Sequence, residues 1–242
     1  MKPELIIWDW NGTILDDALV CKTIANIMLA ERGIPTLPDM DAYRAVFGFP
    51  IKAYYERMGY RFGPDDEPYE TVADEFVVLY DRLYGTSVLR PGILAFLDKR
   101  KEEGYRQVLL SATRLDQLLL QVAAFGDVGD RFEQKLGLTD HYAFSKAALA
   151  RDFIEREGIP RERTLFIGDT DHDFEVSSAI GCPCVLLEGG HQSRERLQKM
   201  GVPVLRDLDE LEQYLHSLQP LSTPHGLISD PYRQFSEEDN DK

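Results

Sequence analysis

The 242-residue chain has only three cysteines and two tryptophans, and its 27 lysines and arginines fall well short of its 42 aspartates and glutamates. Each shortage excludes something. Three cysteines, two of them separated only by Pro183, make neither a disulfide framework nor a zinc pattern, so Cys182 and Cys184 are read as packing around a strand start. Without such a framework the expected compartment is a reducing cytoplasm. The formal net charge of −15 at pH 7 repels a phosphate backbone and argues against nucleic-acid binding. A small anionic substrate would need a local cation. No apolar run approaches the length of a membrane span, and Met1-Lys2-Pro3-Glu4 lacks the hydrophobic region of a signal peptide, so no membrane partner is expected. What is present is globular: 43% hydrophobic and 29% charged residues suit one large α/β domain or a core carrying a smaller insertion.

The stretch Ile6-Ile7-Trp8-Asp9-Trp10-Asn11-Gly12-Thr13 starts as an apolar, β-prone run and stops at a carboxylate, followed by a turn signal and a hydroxyl. Taken alone it fits a ligand-binding strand end, and equally a plain strand-turn-helix corner with Thr13 as a cap. From Ala18 the spacing is helical: Ala18 to Glu31 places Leu19, Ile24, Ile27 and Met28 at helical intervals, and Gly33-Ile34-Pro35 closes that helix. Further helices are predicted over 41–47, 51–58 and 69–84, with Tyr54, Tyr55 and Met58 sharing a face. Nothing between residues 17 and 88 reads as a strand.

At Leu89-Arg90-Pro91-Gly92 the pattern changes. Helices predicted over 93–103, 115–125 and 145–157 alternate with strands at Gln107-Val108-Leu109-Leu110, ending at Ser111, and at Thr164-Leu165-Phe166-Ile167. The second strand runs into Gly168-Asp169-Thr170-Asp171-His172-Asp173, a helix follows to Ile180, and Cys184 to Leu187 is another strand. This alternation implies right-handed crossovers and a parallel sheet. The chain from Gln219 onward is polar and is read as a loosely packed tail.

In a parallel sheet the carboxyl ends of the strands share one edge, so Asp9, Ser111 and Asp169 are expected to meet there. Asp169 and Asp173, four residues apart at a helix start, lie on the same face. With Asp9 and the Asn11 backbone carbonyl they make an all-oxygen set suited to Mg²⁺. Favourable placement of Asp169, Asp171 and Asp173 at a helix N-terminus is the competing explanation, worth about 0.3–1 kcal/mol each. It does not account for the glycine and apolar strand that precede them.

Asp9-Trp10-Asn11-Gly12-Thr13, Ser111, Lys146 in Phe144-Ser145-Lys146-Ala147, and Gly168-Asp169-Thr170-Asp171-His172-Asp173 occur in order, in matching strand and helix contexts. Together they resemble the four motifs of the haloacid dehalogenase-like hydrolase superfamily, over about residues 5 to 215 and most closely its phosphoglycolate phosphatase branch. The resemblance implies a Rossmann-like α/β core of residues 1–16 and 89–216, an all-helical C1-type cap of residues 17–88, and a polar tail of residues 217–242. It implies a Mg²⁺-dependent phosphohydrolase of a small phosphorylated metabolite, with Asp9 as nucleophile forming an aspartyl-phosphate. Metal ligands would be Asp9, Asn11, Asp169 and Asp173. Phosphate contacts would come from Thr13, Ser111, Ala112 and Lys146. Without the motif, Lys146 reads as a surface lysine on an amphipathic helix. His172 reads as a surface histidine, and Arg114 and His191 as solvated loop residues within reach of a substrate.

One position departs. The family's first motif carries a second Asp, which protonates the leaving group and then activates water, and Asn11 stands there instead. An amide has neither an acidic proton to give nor a basic lone pair to take one. Losing a general acid-base costs about 10²–10⁴-fold in rate, roughly 3–5 kcal/mol. Three readings follow: a phosphatase that is slow, prefers good leaving groups or finds another acid near Asp173, His172 or the cap, a phosphonoacetaldehyde hydrolase-like enzyme using Lys52 of the cap as a Schiff-base lysine, or a phospho-ligand binder or regulatory protein without turnover. The persistence of Asp9, Ser111, Lys146, Asp169 and Asp173 favours the first.

Overall fold

The computed structural model describes residues 2–138 and 146–218, so Phe144-Ser145 of the third motif and the polar tail from Gln219 lie outside the described residues. β1 (Leu5–Trp8) is the middle of the architecture. All four of its residues are buried, as an uninterrupted apolar run requires of a parallel strand covered on both faces. Ile6 and Trp8 point into one apolar cluster and Leu5 and Ile7 into the other, the period-two alternation of a pleated strand. β2 (Leu15–Asp16) follows, then α1 (Ala18–Glu31), α2 (Met40–Val46), α3 (Ile51–Met58) and α4 (Tyr69–Leu83). β3 (Val88–Leu89) pairs antiparallel with β2, so the chain leaves and re-enters the core through a two-stranded link.

The rest of the chain alternates: α5 (Ile93–Glu102), β4 (Arg106–Arg114), α6 (Leu115–Ala124), β5 (Gln134–Leu138), α7 (Lys146–Glu157), β6 (Thr164–Gly168), α8 (Asp171–Ile180), β7 (Cys184–Leu187), α9 (Arg194–Gln198), β8 (Val204–Leu205) and α10 (Leu208–Ser217). Six strands form one parallel sheet in the order β5-β4-β1-β6-β7-β8. β1 is flanked by β4 and β6, which sets the residues ending these three strands side by side. The fold class is α/β with the helices packed over both faces of the sheet, as the alternation predicts.

Several details differ from the sequence reading. β4 does not end at Ser111; it runs on to Arg114 with a register shift after Leu110. β5 and β8 were not anticipated, since both are short and half-exposed and β5 carries Gly137 in place of a long apolar run. On α1, Ile24 and Met28 are buried with Cys21 and Ala25, but Leu19 is 61% and Ile27 37% exposed, on the opposite side of the helix. The helices α1 to α4 share their own apolar cluster, rich in tyrosine and separate from the two clusters of the sheet. Cys182 and Cys184 are buried at the start of β7. Among the described residues, no helix is long and apolar enough to cross a membrane.

Candidate active site

Asp9 leaves β1 at the carboxyl edge of the sheet, and its backbone N–H still pairs with the Ile167 carbonyl of β6 at 2.9 Å. Asp169 leaves β6 in the same way. Asp173 stands in the first turn of α8, where it forms a reciprocal capping box with Thr170: its Oδ2 accepts from the Thr170 hydroxyl at 2.7 Å and from the backbone N–H groups of Asp169 and Thr170 at 3.1 Å each. All three carboxylates are buried, and one oxygen of each lies within 4.8 Å of the others. Lys146, at the start of α7, donates to Asp173 Oδ1 at 2.6 Å and also to Asp9 Oδ1.

Two glycines permit this packing. A Cβ on Gly12, whose φ is +73°, would fall 2.3 Å from Asp169 Oδ2, and one on Gly190 would fall 2.1 Å from the same atom. In their place the loops press backbone against Asp169: the His191 N–H donates to Oδ2 at 2.7 Å, while the Thr13 hydroxyl donates to Oδ1 at 3.1 Å. Arg90 braces the loop after β1 by donating to the carbonyls of Thr13 and Gly12 at 2.7 and 2.8 Å.

The electrostatics are those of a site short of positive charge. Burial pushes the Asp9 carboxyl well above its ordinary range; Lys146 opposes this, and Asp173 and Asp169 add to it. Burial likewise pushes Asp169 up to about 6, against the opposing charge of His191. For Asp173, burial is again the largest influence, but Lys146 and the bonds from Thr170 outweigh it and hold the carboxyl below its usual range. Three buried carboxylates thus face one buried ammonium. An oxygen-only donor set with surplus negative charge is what a hard divalent cation relieves, so the residues present fit a divalent metal ion.

Asn11 is tied down at both ends of its amide. Nδ2 donates to Asp17 Oδ2 at 2.8 Å and to the Tyr80 hydroxyl at 2.7 Å, and Oδ1 accepts from Thr113 at 3.3 Å and Ser111 at 3.5 Å. Asp17, absent from the sequence reading, is fully buried at the N-cap of α1. It accepts from the Gly12 N–H at 2.8 Å and from the Tyr80 hydroxyl at 2.6 Å, and meets His191 Nε2 at 3.3 Å. His191 Nδ1 in turn lies 2.8 Å from the Tyr43 hydroxyl. The expectation of a solvated His191 is therefore corrected: the ring is buried, stacked on Phe47, and paired with a carboxylate. The signal available in the sequence was the doubled Asp16-Asp17 before α1, of which the structure exposes the first and buries the second.

Burial alone would lower the His191 pKa, but the Asp17 charge and hydrogen bond raise it to about 9. A histidine held above its ordinary pKa of about 6.5 adds stability that is complete below that value and is lost as pH rises through 9, on the order of 3 kcal/mol in all. Thermal melts in EDTA are expected to fall by several degrees between pH 6.5 and 9, and the fall should be much smaller in His191→Gln. An equal fall in both proteins would show that this pair does not carry the effect.

The remaining residues sort clearly. Asp9, Asn11, Ser111, Ala112, Lys146, Asp169 and Asp173 line one cavity of about 490 Å³ that also opens onto α3 and α4. Thr13 is fully buried outside its lining, with its hydroxyl spent on Asp169, so the expected phosphate contact is replaced by a hold on a carboxylate. Lys52 is exposed, with its ammonium 5.7 Å from the Phe62 ring and away from the cavity. Asp171 turns outward to Gln192 and Arg196. Arg114 is exposed and paired with Asp116 at 2.5 Å, and His172 stacks on Phe49 at 4.3 Å while lining the cavity.

A carboxylate past the central strand, a lysine against it, and a Gly-Asp-x-x-x-Asp turn past the neighbouring strand define a class of α/β enzyme that works on ligands at the sheet's carboxyl edge. The model of the haloacid dehalogenase-like hydrolases matches residues 6–178, and the chain belongs to that family. Among curated relatives, the phosphoglycolate phosphatase of Pseudomonas savastanoi pv. phaseolicola is 25% identical over 217 residues, covering 86% of this chain and 78% of the relative. That of Caulobacter vibrioides is 27% identical over 214 residues, covering 83% and 85%. In fold the chain is similar to a haloacid dehalogenase-like hydrolase from Streptococcus pneumoniae, with a TM-score of 0.73 at 16% identity over 88% of this chain and 98% of that one. It is also similar to CbbY from Rhodobacter sphaeroides, solved with phosphate, with a TM-score of 0.66 at 19% identity over 86% and 96%.

Proposed function

We propose that this hydrolase is a Mg²⁺-dependent phosphatase of small phosphate monoesters that works through an aspartyl-phosphate on Asp9. The observation that carries this reading is the placement of Asp9, buried against Lys146 and beside Asp169 and Asp173, at the floor of the cavity. An Asp9 oxygen attacks phosphorus, the ester P–O bond breaks, and the electron pair leaves on the ester oxygen. Water then attacks the phosphorus of the acylphosphate, releasing inorganic phosphate and restoring Asp9. Lys146, the Ser111 hydroxyl and the Ala112 backbone N–H are the groups assigned to the other phosphoryl oxygens. Asp9, the Asn11 carbonyl, Asp169 and Asp173 would hold Mg²⁺, which neutralises charge between the two anions when bound. Thr13 positions Asp169. Helices α1 to α4 act as the cap that closes over the substrate.

The phosphonoacetaldehyde hydrolase-like reading needs a lysine amine inside the cavity, and the exposed position of Lys52 speaks against it. The relatives named phosphoglycolate phosphatase support a small phosphate ester as the substrate class. Phosphate release from acetyl phosphate and from a panel of monoesters is expected to require Mg²⁺, to stop with EDTA, and to return on adding Mg²⁺ in excess. Undetectable release from every compound at saturating Mg²⁺ would leave the phospho-ligand binder as the surviving alternative.

A further inference from the structure

Above the carboxylates, the cavity wall contributed by α1 to α4 and their loops is unusual for a small anionic metabolite. Its main faces are aromatic: Phe47, Phe49, Tyr54, Phe76 and Tyr80. The charged groups that this wall adds are carboxylates, Asp74 and Asp81. No lysine or arginine of that wall lines the cavity among the described residues, and the sequence of residues 139–145 contains none. The basic side chains that do line it already have partners. Lys146 is held by Asp9 and Asp173, and Arg114 lies in solvent on Asp116. His191 is enclosed by Asp17, Tyr43 and Phe47, and His172 turns Nδ1 to Glu175 at 3.2 Å.

A carboxylate on the substrate beside its phosphate, such as 2-phosphoglycolate carries, would therefore enter an aromatic wall that adds two aspartates, the arginine on the cavity lining, Arg114, being paired with Asp116. Removing a charge from water without pairing it is strongly unfavourable. An apolar ring, by contrast, is matched by ring faces, as in the Phe47–Tyr54 pair at 5.2 Å and the Phe47–Phe49 pair at 6.0 Å.

A second observation, independent of the first, concerns the ester oxygen. Asn11 cannot protonate it, and the hydroxyl protons nearest Asn11 are committed, that of Tyr80 to Asp17 and that of Thr113 to Asn11 itself. A leaving group that departs here receives no proton from Asn11 or from these hydroxyls, which favours one that is stable as its anion. Alkoxides are poor at this, their conjugate acids being about as weak as water, with a pKa near 15.7. Phenols, with a pKa of about 10, are far better.

Resting on the phosphatase reading, we propose that the substrates of this site are aryl phosphates, whose leaving group is an apolar phenolate. As the Asp9 oxygen forms its bond to phosphorus, the aryl O–P bond breaks and its electron pair stays on the phenolate oxygen. The phenolate takes its proton from solvent after release, so the missing acid at Asn11 does not hinder formation of the aspartyl-phosphate. The ring occupies the space between Phe49, Tyr54 and Phe76.

The test measures kcat/KM with saturating Mg²⁺ for 2-naphthyl phosphate, ring-substituted phenyl phosphates of graded phenol acidity, propyl phosphate, 2-phosphoglycolate and acetyl phosphate. The expected result is 2-naphthyl phosphate ahead of 2-phosphoglycolate by about 100-fold or more, a gap of the size an unpaired buried charge produces. Within the phenyl series, kcat/KM should rise steeply with phenol acidity. Phe49→Ala should lower the ratio of 2-naphthyl to acetyl phosphate hydrolysis by about 10-fold. Val77→Arg, at a half-exposed position on the cavity wall, should narrow the gap to 2-phosphoglycolate without threatening the fold. Phosphoglycolate hydrolysed as well as 2-naphthyl phosphate, or a kcat/KM indifferent to phenol acidity, would overturn the aryl assignment and leave the phosphatase reading standing. Failure to hydrolyse even acetyl phosphate, which needs neither ring nor proton, would overturn the phosphatase reading itself.

Discussion

Asp9→Asn is expected to lower kcat by about 10⁴- to 10⁶-fold, the scale seen when a nucleophile is removed, and at the same time to raise the melting temperature of the metal-free protein. The two effects share a cause. Burial and the neighbouring Asp173 and Asp169 hold the Asp9 carboxyl well above its ordinary pKa, so its ionised form at neutral pH opposes folding. The sign follows directly: a folded-state pKa above the unfolded value means that stability falls once pH exceeds the unfolded value. An asparagine of the same shape carries no charge to bury and leaves Lys146 its bond to Asp173. In EDTA at pH 7.5, melts should place Asp9→Asn a few degrees above the unmutated protein. Mg²⁺ should then raise the unmutated protein more than the variant, because a ligand stabilises in proportion to its binding. Turnover by Asp9→Asn equal to that of the unmutated protein would eliminate the nucleophile assignment. A lower melting point in EDTA would show that Asp9 is held by favourable bonds, contrary to the charge balance described above.

The exchange of Asn11 with Asp17 is the second large effect. Asn11 Nδ2 donates to Asp17 Oδ2 at 2.8 Å, so Asn11→Asp alone would set two carboxylates face to face where a hydrogen bond now stands. One of them would have to take up a proton. Lost stability of about 1–3 kcal/mol is expected, and an activity gain limited to acidic pH. The double variant Asn11→Asp/Asp17→Asn reverses donor and acceptor and restores the bond. It also places a carboxyl where the family's acid-base residue stands. Propyl phosphate hydrolysis by the double variant should rise about 10²- to 10⁴-fold, with a far smaller gain on acetyl phosphate, whose leaving group needs no proton. Equal gains on both substrates would show that proton donation is not the deficit. Melts of the two single variants and the double variant form a cycle that isolates the 11–17 coupling.

The core was legible because its signals are local. The apolar run of β1 ends at Asp9 in consecutive residues, and Asp169 and Asp173 are four apart in one turn of one helix. The network around Asn11 was not, because its members meet only in space: Tyr80 is 69 positions from Asn11, and His191 is 148 from Tyr43. A lone histidine in Gly189-Gly190-His191 reads as a loop until the buried Asp17 is placed beside it. Thr13 illustrates a subtler gap. A hydroxyl at a strand end suits an anion, and the structure provides one, but it is the Asp169 carboxylate of the protein itself. Lys52 was legible as a cap lysine and not as an outward-facing one, since α3 is short and its buried face, Tyr54, Tyr55 and Met58, decides where the other side chains point. The aromatic wall was visible only as the tyrosines and phenylalanines of separate helices, whose convergence is a tertiary property.

The pairing of β2 with β3 brings the two crossings of the chain together, Leu15 opposite Leu89 and Asp16 opposite Val88. Antiparallel partners stand only about 5 Å apart, so the intervening helices hang from the sheet like a head on a two-stranded neck. A tight turn closing that neck would cost the core little loop entropy, about as much as any short hairpin. Under the proposed function, the chemistry at Asp9 and the choice of what is hydrolysed would then be separable: a differently shaped head at the same neck would offer the same carboxylate floor to other phosphate esters, and a headless version would open that floor to any phosphate small enough to reach it.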